Sequence, residues 1–113
     1  MEQLLHAAGF TGVETVDGVI YARSDPALPE FTVSETAAGW LLVQAWPLRA
    51  TAAQMAAWNA RHPDTVMDIH QGETRITLPV SPENLARWAD LTREMVTQCV
   101  AWRRESRQRD EGM

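Results

Sequence analysis

The strongest periodicity in this chain lies near its end. Leu85, Trp88, Thr92, Met95, Cys99 and Trp102 recur at alternating spacings of three and four, which puts them on one face of an α-helix. Ala89, Leu91, Val96 and Val100 widen that face, so the helix needs a large apolar partner. Its start is marked by a serine N-cap, Ser81, then Pro82 at the first helical position and Glu83 in the first turn.

Period-two patterns account for most of the rest. Val13–Val16 and Val19–Ala22 flank Asp17-Gly18, a hairpin turn dipeptide. Phe31 and Val33 alternate with Thr32 and Ser34, as in a half-buried strand. The run Trp40–Trp46 is apolar on both faces except at Gln44. Trp40, Leu42 and Trp46 share one face, and Leu41, Val43 and Ala45 share the other. Neither face is suited to water, so the strand belongs in the middle of a sheet or at an interface.

Thr65–His70 and Glu73–Val80 form the clearest hairpin. A two-residue turn at Gln71-Gly72 sets His70 opposite Glu73, Ile69 opposite Thr74, Asp68 opposite Arg75 and Met67 opposite Ile76. In that register Met67, Ile69, Ile76 and Leu78 share a face, and a slip by one residue would turn all of them outward.

Two further helices complete the pattern. Glu2–Ala8 forms a short one ended by Gly9. Another begins at Thr51, where Gln54 completes a capping box, and stops at His62-Pro63. The chain is therefore expected to be an α+β domain of α-β-β-β-α-β-β-α order, to which the Asp17-Gly18 hairpin adds strand near the N-terminus. One antiparallel sheet should carry helices packed mainly on one face. No linker or repeat divides the 113 residues, which form a single domain, residues 1–113. A chain this long buries roughly two-thirds of its unfolded surface without disulfide or metal support. Residues 105–113 should fray.

Composition narrows the chemistry. All ten cations are arginines, so lysine-based covalent catalysis is excluded. Residues 1–102 carry six arginines against twelve acids, net −6, and such a globule repels phosphate backbones. Nucleic acid is therefore not expected as a partner. No leader or membrane-length apolar run is visible, so no membrane partner is expected and a cytoplasmic location is. The one cysteine, Cys99, reads as a small buried hydrophobe.

Candidate catalytic groups are sparse. Ser24, Ser34, Ser81 and Ser106 lack a nucleophile-elbow context, and no glycine-rich phosphate loop exists. The chain is expected not to be an enzyme and to need no cofactor. The alternative is a small metal-dependent or acid–base enzyme using His62, Asp64, Asp68 and His70, whose imidazoles and carboxylates fall within nine residues. Against it, the hairpin register already supplies Asp68 and His70 with cross-strand partners. The arginine-rich end from Arg103 reads as a solvated helix terminus that complements the helix dipole.

The element order, the segment Met55-Ala56-Ala57-Trp58-Asn59-Ala60, the hairpin Asp68–Leu78 and the closing Val96–Trp102 resemble the class I type III secretion chaperones, the family that includes the Tir chaperone, and the related YbjN-like proteins. The first helix is shorter than in that pattern, and the Asp17-Gly18 hairpin is additional. The resemblance implies a homodimer that offers apolar patches to an extended segment of a partner polypeptide, with neither cofactor nor catalysis. The expected function is thus a chaperone-like or adaptor protein-binding module, with Leu41, Val43, Trp46 and Trp102 as exposed or interface residues. A structural subunit of a larger assembly is the third reading.

Overall fold

A computed structural model describes residues 1–111. Its elements are α1 (Glu2–Ala7), β1 (Thr11–Val16), β2 (Val19–Arg23), β3 (Phe31–Thr36), β4 (Gly39–Trp46), α2 (Ala52–Arg61), β5 (Met67–His70), β6 (Glu73–Pro79) and α3 (Pro82–Glu111). The fold is α+β, with the expected order plus the extra strand of the N-terminal hairpin. The six strands form one antiparallel sheet in the order β1-β2-β3-β4-β6-β5.

Local chemistry explains the turns and caps. Asp17-Gly18 and Gln71-Gly72 have positive φ at both positions, 53° and 81° in the first and 52° and 80° in the second. These are the left-handed pairs a two-residue hairpin requires, and they match the right-handed twist of the strands. The second turn fixes the pairs His70–Glu73, Ile69–Thr74, Asp68–Arg75 and Met67–Ile76, as the alternation predicts. Thr51 and Gln54 exchange hydrogen bonds as a capping box, at 3.1 and 2.9 Å. Ser81 Oγ accepts from the Asn84 N–H at 3.1 Å, capping α3.

The core lies between one face of the sheet and the helices. Ile20, Ala22, Phe31, Val33, Leu42, Ile76, Leu78 and Met67 all point to that side and are buried. Leu5 of α1, Trp58 of α2 and the α3 stripe close over them. Every residue of that stripe is buried, from Leu85 and Trp88 to Cys99 and Trp102. Phe31 joins the layers, meeting Phe10 and Trp88 edge-on at centroid distances of 5.0 and 5.7 Å. Helix α3 runs on to Glu111, past the point where the sequence predicts fraying. The last two positions, 112 and 113, lie outside the described residues. Among the described residues no helix is long and apolar enough to cross a membrane.

Candidate binding face

The helices cover one face of the sheet, and the registers define the other. Glu14 pairs with Tyr21, Tyr21 with Thr32, Thr32 with Val43 and Val43 with Thr77, which makes one row across five strands. The next row holds Val16 beside Val19, then Ser34, Leu41 and Pro79. Among the described residues, the helices pack on the opposite side of the sheet. Tyr21, Leu41 and Val43 on this side are half-buried, whereas their neighbours Ile20, Ala22 and Leu42 on the other side are buried. At its margins the face exposes Val16 (46 %) and Val66 (52 %), two of the three large hydrophobics exposed among the described residues. Val66 precedes β5 and alternates with inward-facing Met67, so it falls on the open side.

Most of the charge on this face is gathered at one end. There Arg75 pairs with Asp68 at 2.8 and 3.3 Å, and Arg23 pairs with Glu30 at 3.8 Å. These charges are satisfied within the face. The two rows beyond them carry one charge, Glu14. The result is a nearly neutral strip of Val, Leu, Tyr, Thr, Ser and Pro79, with a charged margin at one end.

Each sheet edge is partly obstructed. On β5, Asn59 of α2 accepts from the Met67 N–H at 2.8 Å and donates to the Met67 carbonyl at 3.4 Å, occupying the groups an added strand would use. On β1 the register shifts between Thr11 and Glu14, and Gly12 has φ of 62°. A bulge of this kind twists an edge away from pairing. Association through this sheet is therefore favoured face-on rather than edge-on.

Of the four expected interface residues, Leu41 and Val43 lie side by side on the open face. Trp46 and Trp102 do not. Trp46 shares the helix-covered side with Leu42 and packs against the core. Trp102 is 7 % exposed and belongs to the core itself. Its place on the stripe with Trp88 and Cys99 already pointed to that answer, since residues three apart lie on the same face of a helix. Tyr21 and Val19 were missed as face residues; the Asp17-Gly18 turn with strict alternation was the available signal.

The proposed metal or acid–base cluster is split between the two sides of the sheet. His62 is the C-terminal cap of α2, stacks on Trp58 at 4.4 Å, and places Nε2 3.0 Å from Glu94 Oε1 of α3. Asp64 accepts from Arg87 of α3 at 2.6 and 3.3 Å. That hydrogen-bonded guanidinium holds the Asp64 carboxyl below its ordinary pKa, and the carboxylate in turn raises Arg87. Asp68 and His70 instead lie on the open face, Asp68 paired with Arg75. Among the described residues no group of three or more His, Cys, Asp or Glu is placed to hold a metal. His62 and Asp64 clamp the α2–β5 connection onto α3.

Two depressions lie on the helical side. One, of about 340 Å³, is lined by His62, Arg87, Asp90 and Glu94, the exposed ends of those clamps. The other, of about 380 Å³, lies between α1 and α3 and is apolar, with Leu4, Ala7, Phe10, Leu85, Ala86 and Ala89 on its walls. Burial pushes the Cys99 thiol up to about 11, which suits packing and not nucleophilic chemistry. Comparison with protein-family models, with curated proteins and with solved structures finds no match to this chain.

Proposed function

We propose that this chain is a protein-binding module of chaperone-like or adaptor type, which associates with polypeptide through the open face of its sheet and performs no chemistry of its own. The observation that carries this reading is the pair of uncovered rows around Tyr21, Leu41 and Val43, with Val16 and Val66 exposed at their margins. A sheet that needed only to fold would place polar groups on its second face. In the two central rows the polar groups other than Glu14 are Thr and Ser, which hydrogen-bond readily and tolerate desolvation once paired.

The partly obstructed edges support the same reading, because they direct association away from strand addition and toward the face. The metal-enzyme alternative loses its main support, since His62 and Asp64 serve α3 on one side while Asp68 and His70 sit on the other. A tagged chain used to capture proteins from source-cell lysate tests the proposal. Polypeptide retained by the native chain and by Ala53→Asp, a change on exposed α2 surface, should be lost with Val43→Asp. Retention that ignores Val43→Asp would reject the face as the binding surface.

A further inference from the structure

We propose that the occupant of the open face is a second copy of this chain, laid sheet on sheet about a two-fold axis that lies in the interface and runs across the strands between the Tyr21 row and the Val19 row. The inference rests on the reading of this face as an association surface and names its partner.

Charge is the first argument. The ion pairs of the face, Arg75–Asp68 and Arg23–Glu30, are complete within one chain and gathered at one end of the strands. They leave no patch that asks for a partner of opposite sign. Apart from Glu14 on the edge strand β1 and Glu73 beyond the ion pairs at the charged end, what remains is neutral and largely apolar, and a surface of that kind is matched by another like it.

The pattern of the two rows supplies the second. A two-fold axis between them brings each row onto the other row of the partner copy. Tyr21 then meets Val19 of the second copy, Val43 meets Leu41, and Thr32 meets Ser34. Each of these central meetings is apolar on apolar or hydroxyl on hydroxyl. The charged ends fall on opposite sides of the dimer, at its wet margins. An axis parallel to the strands would instead set β2 against β6 and bring Arg23 toward the partner's Arg75. Charge thus selects between these two axes.

Size is the third. Six strands at about 4.8 Å and about five residues at ~3.3 Å give a face of roughly 29 by 17 Å. That is on the order of 500 Å² in projection, and more once side-chain relief is counted. Specific stable interfaces begin near 600 Å² of accessible surface per partner. Paired faces of this area make a compact sandwich dimer, and the apolar depression between α1 and α3 stays open on its outside.

Sedimentation velocity on the native chain and on variants tests the arrangement. The native chain should sediment as a dimer across a wide concentration range, and so should Ala53→Asp. Val43→Asp alone and Leu41→Arg alone should shift to monomer while keeping native far-ultraviolet circular dichroism. An equimolar mixture of Val43→Asp and Leu41→Arg should recover dimer. The introduced carboxylate of one copy then meets the introduced guanidinium of the other, and the second contact remains Leu41 on Val43. A monomeric native chain, a dimer indifferent to Val43→Asp, or a mixture that stays monomeric would each overturn the inference. If the native chain is monomeric yet a different polypeptide is still lost on Val43→Asp, the inference falls while the function proposed for the face stands.

Discussion

Asn59 and Met67 are joined by both hydrogen bonds that a neighbouring strand would make: the Met67 N–H donates to Asn59 Oδ1 at 2.8 Å, and Asn59 Nδ2 donates to the Met67 carbonyl at 3.4 Å. A helix side chain thus ends the sheet at β5. The arrangement holds α2 in place and caps the outward-facing backbone groups of the first residue of an edge that would otherwise template pairing. Trp58, one residue earlier, adds a buried bond from Nε1 to the Thr65 carbonyl at 2.9 Å.

Asn59→Ala is predicted to destabilise the fold by about 1–3 kcal/mol, since two backbone groups of Met67 lose their partners. Urea unfolding followed by tryptophan fluorescence measures it. Amide exchange at Met67 should speed up by more than at Ile76 in the interior of the sheet. Equal protection in variant and native chain would contradict the role assigned to Asn59.

The corrected tryptophan is open to a direct contrast. Trp102→Ala removes a core side chain and should cost about 3–5 kcal/mol, whereas Leu41→Ala on the uncovered face should cost the isolated chain far less. Thermal melts of the two variants at low concentration decide the matter. Comparable losses would mean that Trp102 contributes little to the core.

A pH dependence follows from Asp64. Its folded carboxyl titrates below the ordinary 3.8 because Arg87 donates to it, so the clamp's stabilising contribution is present above 3.8 and is lost as pH falls through the lower folded value. Asp64→Asn should therefore lower the melting temperature at neutral pH, with the difference from native shrinking toward zero in acid. The pair is solvent-exposed, so the shift should be small and should weaken further with salt. A difference that persists unchanged below that range would contradict the ion-pair origin.

Cys99 should resist thiol reagents in the native state at pH 8, because burial holds the thiol up at about 11 against an ordinary 9.0. The same raised value makes native stability fall as pH rises from 9.0 toward 11, where the unfolded thiol ionises first. Labelling should become fast on adding denaturant. Rapid stoichiometric labelling of the folded chain would contradict the packing of α3.

Much of this fold was legible where neighbours in sequence are neighbours in space. The Gln71-Gly72 hairpin fixed its own register, Thr51 and Gln54 announced their capping box, and the α3 stripe named its buried residues through Trp102. The two-sided character of β4 was also legible, because alternation alone separates Leu41 and Val43 from Leu42. The side on which helices would settle was not, and so Trp46 was assigned to the wrong surface. Nor could the roles of His62 and Asp64 be read locally. Their partners, Glu94 and Arg87, stand 32 and 23 residues away on α3, and a cluster close in sequence is divided by a sheet in space.

The central claim is that the open face meets polypeptide. Its most direct test is a photo-crosslinking residue placed at Thr32, in the middle of the face, with the same residue at exposed Ala53 on α2 as the control. Irradiation in source cells should join Thr32 to polypeptide, a second copy or another chain, while Ala53 gives no defined adduct. A folded protein that yields no adduct at Thr32, or the same adducts at both positions, would contradict the account.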